Sequence, residues 1–281
     1  MYDEREQLKM ELNRIKDNEY NLREGEKVTD YVDLMLKYIG DADPELRDDL
    51  IYLTFAYWIE DKRFFSDEKL TALLNTILSE DFAFYNIGSE NDDSVLRRSF
   101  SILLINPILC VQLDKNFLDE NMILKTKDCL IKYLNEEKDL RGHDKEKGWV
   151  HGIAHAADGI HALLNCKGIT EEHCKEILST IEKILLEGKD VFSAEEYERL
   201  ISVIYYNIIS DKLLSDEYIC NWIEGLSKVT EINDSITRFK ARTNAKNFIR
   251  SLYFRLLHLE NNEEISKAII ALEKKLNIYL D

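Results

Sequence analysis

Pro44 and Pro107 are the only prolines in a chain of 281 residues, and glycine occurs ten times. Proline removes a backbone donor and clashes with the preceding turn, and glycine loses the most freedom on ordering, so both mark where regular elements stop. A chain with so few of them is poorly supplied with the tight turns of a sheet protein. Between the breaks it is rich in Leu, Ile, Lys and Glu, the first, third and fourth of which lose little side-chain freedom in a helix. The expectation is an all-α protein of about twelve helices joined by short connections, without strand patterns.

The boundary signals place those helices. A charged amphipathic helix is expected over residues 3–18 and a second over 27–39, ending at Gly40. Asp43 followed by Pro44 is a start signal for a helix running to about Glu60, whose Tyr52, Phe55, Tyr57 and Trp58 read as core. Ser66, Asp92 or Asp93, Thr170 and Ser215 are further caps, a helix is expected over about Asp119 to Leu134, and Ser193 with Glu196 has the spacing of a capping box. Pro107 should kink or end the helix that begins DSVLRRSF, and two long helices over 235–258 and 262–279 close the chain. The helices pair with a period of roughly the 40–47 residues of HEAT-type repeats. No Pro-, Gly- or Ser-rich linker divides them, so residues 1–281 read as one domain, a HEAT-like α-solenoid, with a closed α/α toroid as the alternative.

Charge and cysteine limit what such a fold can do. A net charge of −17 repels phosphate backbones and anionic membranes, which argues against nucleic acid and membrane as partners. Five cysteines without a CxxC pair suggest neither a disulfide framework nor a thiolate zinc site. The charged start MYDEREQLKMEL lacks an apolar signal region, and the longest apolar run, Ile102 to Val111, reads as a buried helix. The expected location is the cytoplasm.

The chemistry is concentrated in DLRGHDKEKGWVHGIAHAADGIHALLN, residues 139–165, which hold four of the six histidines. A helix drawn from Gly148 puts His151, His155, Asp158 and Ala162 on one stripe and Trp149, Ile153, Ala156 and Ile160 on the other side. Gly152 and Gly159 cost roughly 1 kcal/mol each inside a helix, which suggests a packing or site reason for them. Three readings of the stripe stay open. His151 and His155, four apart, could ligate a divalent metal; Asp158 lies about 10 Å along the axis from His151, so a third ligand would come from Glu137 or Asp139. The imidazoles could instead be satisfied inside a tight helix junction. Or Arg141, Lys147 and the amides from Gly148 to Val150 could receive an anionic or polar ligand at the helix start. Elsewhere, the helix from Thr237 to His258 carries six cations and no acid. Four of them, Arg238, Arg242, Lys246 and Arg250, form a ridge that either complements acidic neighbouring helices or meets an acidic partner.

LRDDLIYLTFAYWI at 46–59, DSVLRRSFSILL at 93–104, and YLNEEKDLRG followed by KGWVHGIAHAAD at 133–158 resemble a bacterial all-helical family catalogued as domain of unknown function 2785. Arg98, Ser99, Glu137, Asp139, Arg141, Gly142, Gly148, Trp149, His151, Ala154, His155 and Asp158 carry the resemblance, which spans roughly residues 40–225. His143 departs from it, since an aromatic usually follows Arg-Gly. The resemblance implies an all-helical, HEAT-like fold and supplies no reaction.

Two functions compete. The first is a binding or scaffold module with a polar site built from Arg98, Glu137, Asp139, Arg141, Lys147, Trp149, His151, His155 and Asp158, taking a polar or anionic small molecule or a peptide. The second is a hydrolase-like enzyme, with His151 and His155 as metal ligands or one imidazole as general base oriented by Asp158. Serine catalysis through Ser99 lacks a GxSxG elbow, and Cys166 reads as core.

Overall fold

The computed structural model describes residues 3–260 and 262–279, and they are mostly helical. They divide into two compact units, Met1–Cys166 and Lys167–Asp281.

The first unit contains α1 (Glu4–Asp17), α2 (Thr29–Lys37), α3 (45–61), α4 (Asp67–Ile77), α5 (Ser94–Leu103), α6 (Ile105–Lys115), α7 (Glu120–Glu136) and α8 (Gly152–Leu163). Ser66 caps α4 as expected and Asp43 accepts from Glu45, while Asp3 and Asp119 also each accept a backbone N–H from the first turn of their helices. At α5 the capping position is Asp93, whose side chain makes no cap bond, and Asp92, one residue earlier, takes the Ser94 amide at 2.8 Å. The break before Pro107 falls at Leu104, between α5 and α6, so that the proline sits in the first turn of α6, where its missing N–H leaves no gap. The stretch Ser94–Lys115 is apolar and long enough to cross a membrane by composition, yet 78% of that window is buried inside the protein. Two parts of α3, Glu45–Tyr52 and Tyr57–Asp61, are π-helical, a rare winding often found where side chains are re-aimed. Helix α8 is the centre of the unit and packs against α5, α6 and α7.

The second unit contains α9 (Glu171–Glu187), α10 (196–210), α11 (Asp216–Gly225), α12 (Ser235–Leu256) and α13 (Glu263–Leu276). Helix α12 is its axis and packs on α9, α10 and α13 through Ala241, Ala245, Phe248, Ile249 and Leu252. Thr170 and Ser215 cap as expected. The box expected from Ser193 does not form. Glu195 takes a left-handed conformation, α10 begins one residue later, and buried Glu196 accepts the Ala194 amide at 3.0 Å.

One expectation about the backbone is corrected in the first unit. Residues 143–149 are an antiparallel hairpin, β1 (His143–Asp144) with β2 (Gly148–Trp149), so the helix expected from Gly148 begins only at Gly152. The cause is competition for carbonyls. Buried Arg47 donates to the carbonyls of Lys147 and Trp149 at 2.5 and 3.1 Å, and Ser99 donates to that of Val150. The Val150 and His151 amides both turn to Gly142. Helical bonding therefore begins only at His151, whose carbonyl accepts from the His155 amide at 2.9 Å.

Candidate functional site

The site is built on buried ion pairs. Arg98, on α5, and Glu137, at the end of α7, are both inaccessible and joined by two parallel bonds of 2.7 and 2.9 Å. The remaining donors of Arg98 hold the carbonyls of Tyr85, Asn86 and Ser89, which fixes the aromatic loop after α4. Burial opposes the charge on Arg98, but the hydrogen bond and charge attraction of Glu137, with smaller attractions from Tyr133 and Asp92, together outweigh it and raise its pKa. Glu137 also accepts the amides of Lys138 and Asp139, passing the chain to a second pair. There Asp139 binds Arg141 through Nε and Nη2 at 2.8 and 2.7 Å and takes the Asn91 amide at 2.9 Å. Its hydrogen bonds push the Arg141 pKa up. Lys147 pairs with Asp93 and Arg141 donates to the Asp92 carbonyl, so both strands of the hairpin are tied to the start of α5.

Beneath the hairpin, Ser99 and His155 form a second layer. The Ser99 hydroxyl lies 2.8 Å from His155 Nδ1 and also contacts the Val150 carbonyl. A carbonyl can only accept, so the hydroxyl donates to Val150 and receives the Nδ1 proton of His155. That places the basic lone pair of His155 on Nε2. It also means that Ser99 accepts from the imidazole, the reverse of the polarity a serine nucleophile requires. Gly152 permits the approach of α7 to this layer, since a Cβ there would stand 2.5 Å from the Tyr133 phenol oxygen. Gly159 likewise meets Leu130. Both glycines have a packing reason.

The outer surface of the hairpin is aromatic. Trp149 is 46% exposed and stacks on half-buried His151, with centroids 4.5 Å apart and planes 18° from parallel. Exposed His143, paired opposite Trp149 across the hairpin, approaches its ring edge-on at 4.9 Å. The His151 ring also meets that of His155, nearly perpendicular at 5.9 Å. Half-buried Asp158 lies one turn beyond His155 on α8.

These positions redistribute the sequence-predicted residues. Arg98, Glu137, Asp139 and His155 are buried, Arg141, Lys147, His151 and Asp158 are half-buried, and Trp149 alone is exposed. The acids nominated as third metal ligands are bonded to arginines, and among the described residues no three His, Cys, Asp or Glu side chains converge with metal-holding geometry. At the expected anion site, the Val150 amide is given to Gly142, while Arg141 and Lys147 face aspartates.

Sequence reasoning missed Arg47, Asp48, Tyr52 and His143. Arg47 is fully buried over the Phe100 ring at 4.6 Å and supports the hairpin. Its signal was available: three and four residues before Leu50 and Ile51, it falls on the apolar stripe of α3. Burial pushes the neighbouring Asp48 carboxyl up to about 6, against the pull of Arg47. Burial likewise takes Tyr52 to about 12, with the charges of Glu60, Asp158 and Asp48 adding to the rise. Of the four aromatics of α3 expected in the core, Phe55 and Trp58 are there, while Tyr52 is half-buried and Tyr57 is exposed. Beyond the hairpin anchors Asp92 and Asp93, an open cavity of about 760 Å³ is walled by Tyr38, Phe82, Tyr85 and Arg97.

Fold and site together define an all-helical protein that carries a small hairpin clamped by buried arginines. Residues 83–254 match the family described as protein of unknown function (DUF2785), and the chain belongs to that family. The match begins beyond the 46–59 segment and extends into α12. No curated protein and no solved structure matches the chain.

Proposed function

We propose that this protein is a binding module, and that the hairpin is its recognition element for a polar small molecule or a peptide. The observation that carries this reading is the exposed Trp149 ring, stacked on His151 and flanked by His143, above a base immobilised by Arg47, Ser99 and His155. A rigidly mounted, partly exposed tryptophan offers a large contact area at low entropic cost, as recognition surfaces do. The pairing of α7 with α8 and of α12 with α13 supports a HEAT-like arrangement of helix pairs within each unit.

The test uses the protein's own fluorescence. Trp58 and Trp222 are buried, so acrylamide quenching and ligand-induced changes report mainly on Trp149. A panel of short peptides, sugars, amino acids and nucleotides should contain a ligand that shields Trp149 saturably. Calorimetry with Trp149→Ala and His151→Ala should then show affinity reduced at least about tenfold, with the melting temperature unchanged. A ligand bound equally well by Trp149→Ala would end this reading.

A second reading, acid–base chemistry of a hydrolase-like kind, draws support from Asp48. A carboxyl pushed up to about 6 is suited to moving a proton near neutral pH. Turnover of an ester or amide panel, abolished in both Asp48→Asn and His155→Gln while folding is kept, would favour it over binding alone.

A further inference from the structure

Helix α12 holds six cations, and four of them have partners within the second unit. Arg238 donates to the Ile232 carbonyl, Lys240 to that of Lys189, Arg250 binds Glu273, and Arg255 binds Glu198 and Ser202. Arg242 and Lys246, one turn apart, have no carboxylate within ion-pair distance among the described residues. Arg242 lies over the Phe239 ring and Lys246 over that of Tyr279. Burial, with Arg250 and Arg242 nearby, lowers the Lys246 pKa despite Glu273. Positive potential is therefore uncompensated at this place, in a chain whose net charge is −17.

The same face also carries exposed apolar side chains. Ala241, Ala245, Phe248 and Leu252 point into the unit. On the opposite side, at helical spacing, stand Ile236, Phe239, Phe254 and Leu257, each more than half exposed. At 100° per residue, Phe239, Lys246, Phe254 and Leu257 fall within about 80° of one another. The outer face of α12 is thus apolar at its two ends, with Thr243, Lys246, Asn247 and Arg250 between them. The outer strip is about 30 Å long at 1.5 Å per residue, the length of a partner helix and not of a small-molecule cleft.

We propose that the outer face of α12 docks an acidic amphipathic helix of a partner protein, its carboxylates on Arg242 and Lys246 and its apolar residues on Phe239, Phe254 and Leu257. Charge selects this occupant. An anionic bilayer or nucleic acid presents dense negative charge to the entire protein, which two unpaired cations cannot offset against the acidic surface. A single helix bearing acids only along its contact edges meets the basic strip and little else.

The experiment uses the full chain and a fluorescein-labelled helical peptide as long as α12, with Leu at its core positions and Glu at the flanking ones. Anisotropy should show saturable binding that weakens with salt, and Arg242→Glu/Lys246→Glu should weaken it by at least about tenfold. Phe254→Ala should weaken it independently, and the same peptide with Lys in place of Glu should not bind. Arg242→Gln/Lys246→Gln, which keeps helix propensity and adds no repulsion, covers the case in which the charge-reversed variant fails to fold. The proposal is overturned by the absence of saturable binding, by equal affinity in the charge variants, by co-sedimentation with phosphatidylglycerol vesicles instead of peptide capture, or by a self-associated dimer that Phe254→Ala dissolves.

Discussion

Arg98 and Arg242 are both helix-borne cations in an acidic protein, and they are used in opposite ways. Arg98 is withdrawn from water and distributes its donors among Glu137, Ser94 and three loop carbonyls. Arg242 lies over the Phe239 ring and has no ion-pair partner among the described residues. The first kind of cation sets where the backbone goes, because a buried guanidinium must find acceptors and the loop carbonyls supply them. The second kind leaves the backbone alone and keeps its charge available. Arg47 belongs with Arg98: removing the hairpin would strand its donors, so helix α3 and the hairpin require one another.

The contrast is broken most easily at Arg98. Arg98→Met leaves Glu137 buried without its cation and should destabilise the protein by about 3–5 kcal/mol, measured by urea unfolding. Arg98→Met/Glu137→Leu should recover much of that loss, because it is mainly the cost of an orphaned charge. Arg242→Gln should shift the midpoint by less than about 0.5 kcal/mol, as surface substitutions do. Equal losses at Arg98 and Arg242 would remove the distinction.

A smaller effect sharpens it at the layer under the hairpin. Ser99→Ala deprives the Val150 carbonyl of its donor and leaves His155 Nδ1 with the Ser99 carbonyl at 3.3 Å. An unsatisfied buried acceptor costs about 1–3 kcal/mol. Amide exchange should locate the loss, with protection falling at Val150 and His151 before it falls in the core of α8. If exchange rises uniformly instead, Ser99 acts on global packing and not on the hairpin.

How much of this was legible in advance follows from the same physics. Helix ends were readable wherever a single polar side chain decides them locally, as at Ser66, Asp119 and Ser215. The hairpin was not, because its cause lies far along the chain: Arg47 is a hundred residues from the carbonyl it captures. Gly148 was read as a helix start, while its left-handed φ of +74° belongs to the hairpin, with Pro44 so close that a Cβ would stand 2.8 Å from it. Among the candidate residues, the sequence names side chains that lie close together, but not which of them pair with one another. Arg98, Glu137 and Asp139 looked like ligand groups and are framework, because a sequence does not say which acid meets which base. His143 was noticed only as a departure, yet it completes the aromatic surface with Trp149.

Asp48 tests the boundary between the two kinds of charge, since it is partly withdrawn yet lies beside the fully buried Arg47 at 3.6 Å. Its carboxyl titrates near 6 in the folded protein, above the 3.8 of an exposed aspartate, so folding disfavours its ionised form. The destabilisation is absent below about pH 4, where the group is protonated in both states. It develops as pH rises toward 6 and is complete above that. Asp48→Asn should therefore be neutral at acid pH and stabilising at pH 7.5, by about 1 kcal/mol after discounting for its residual exposure and for the attraction to Arg47. Paired urea titrations across that range measure it. A variant less stable than the parent at pH 7.5 would mean that the ion pair with Arg47 outweighs burial, and Asp48 would then join Glu137 as framework.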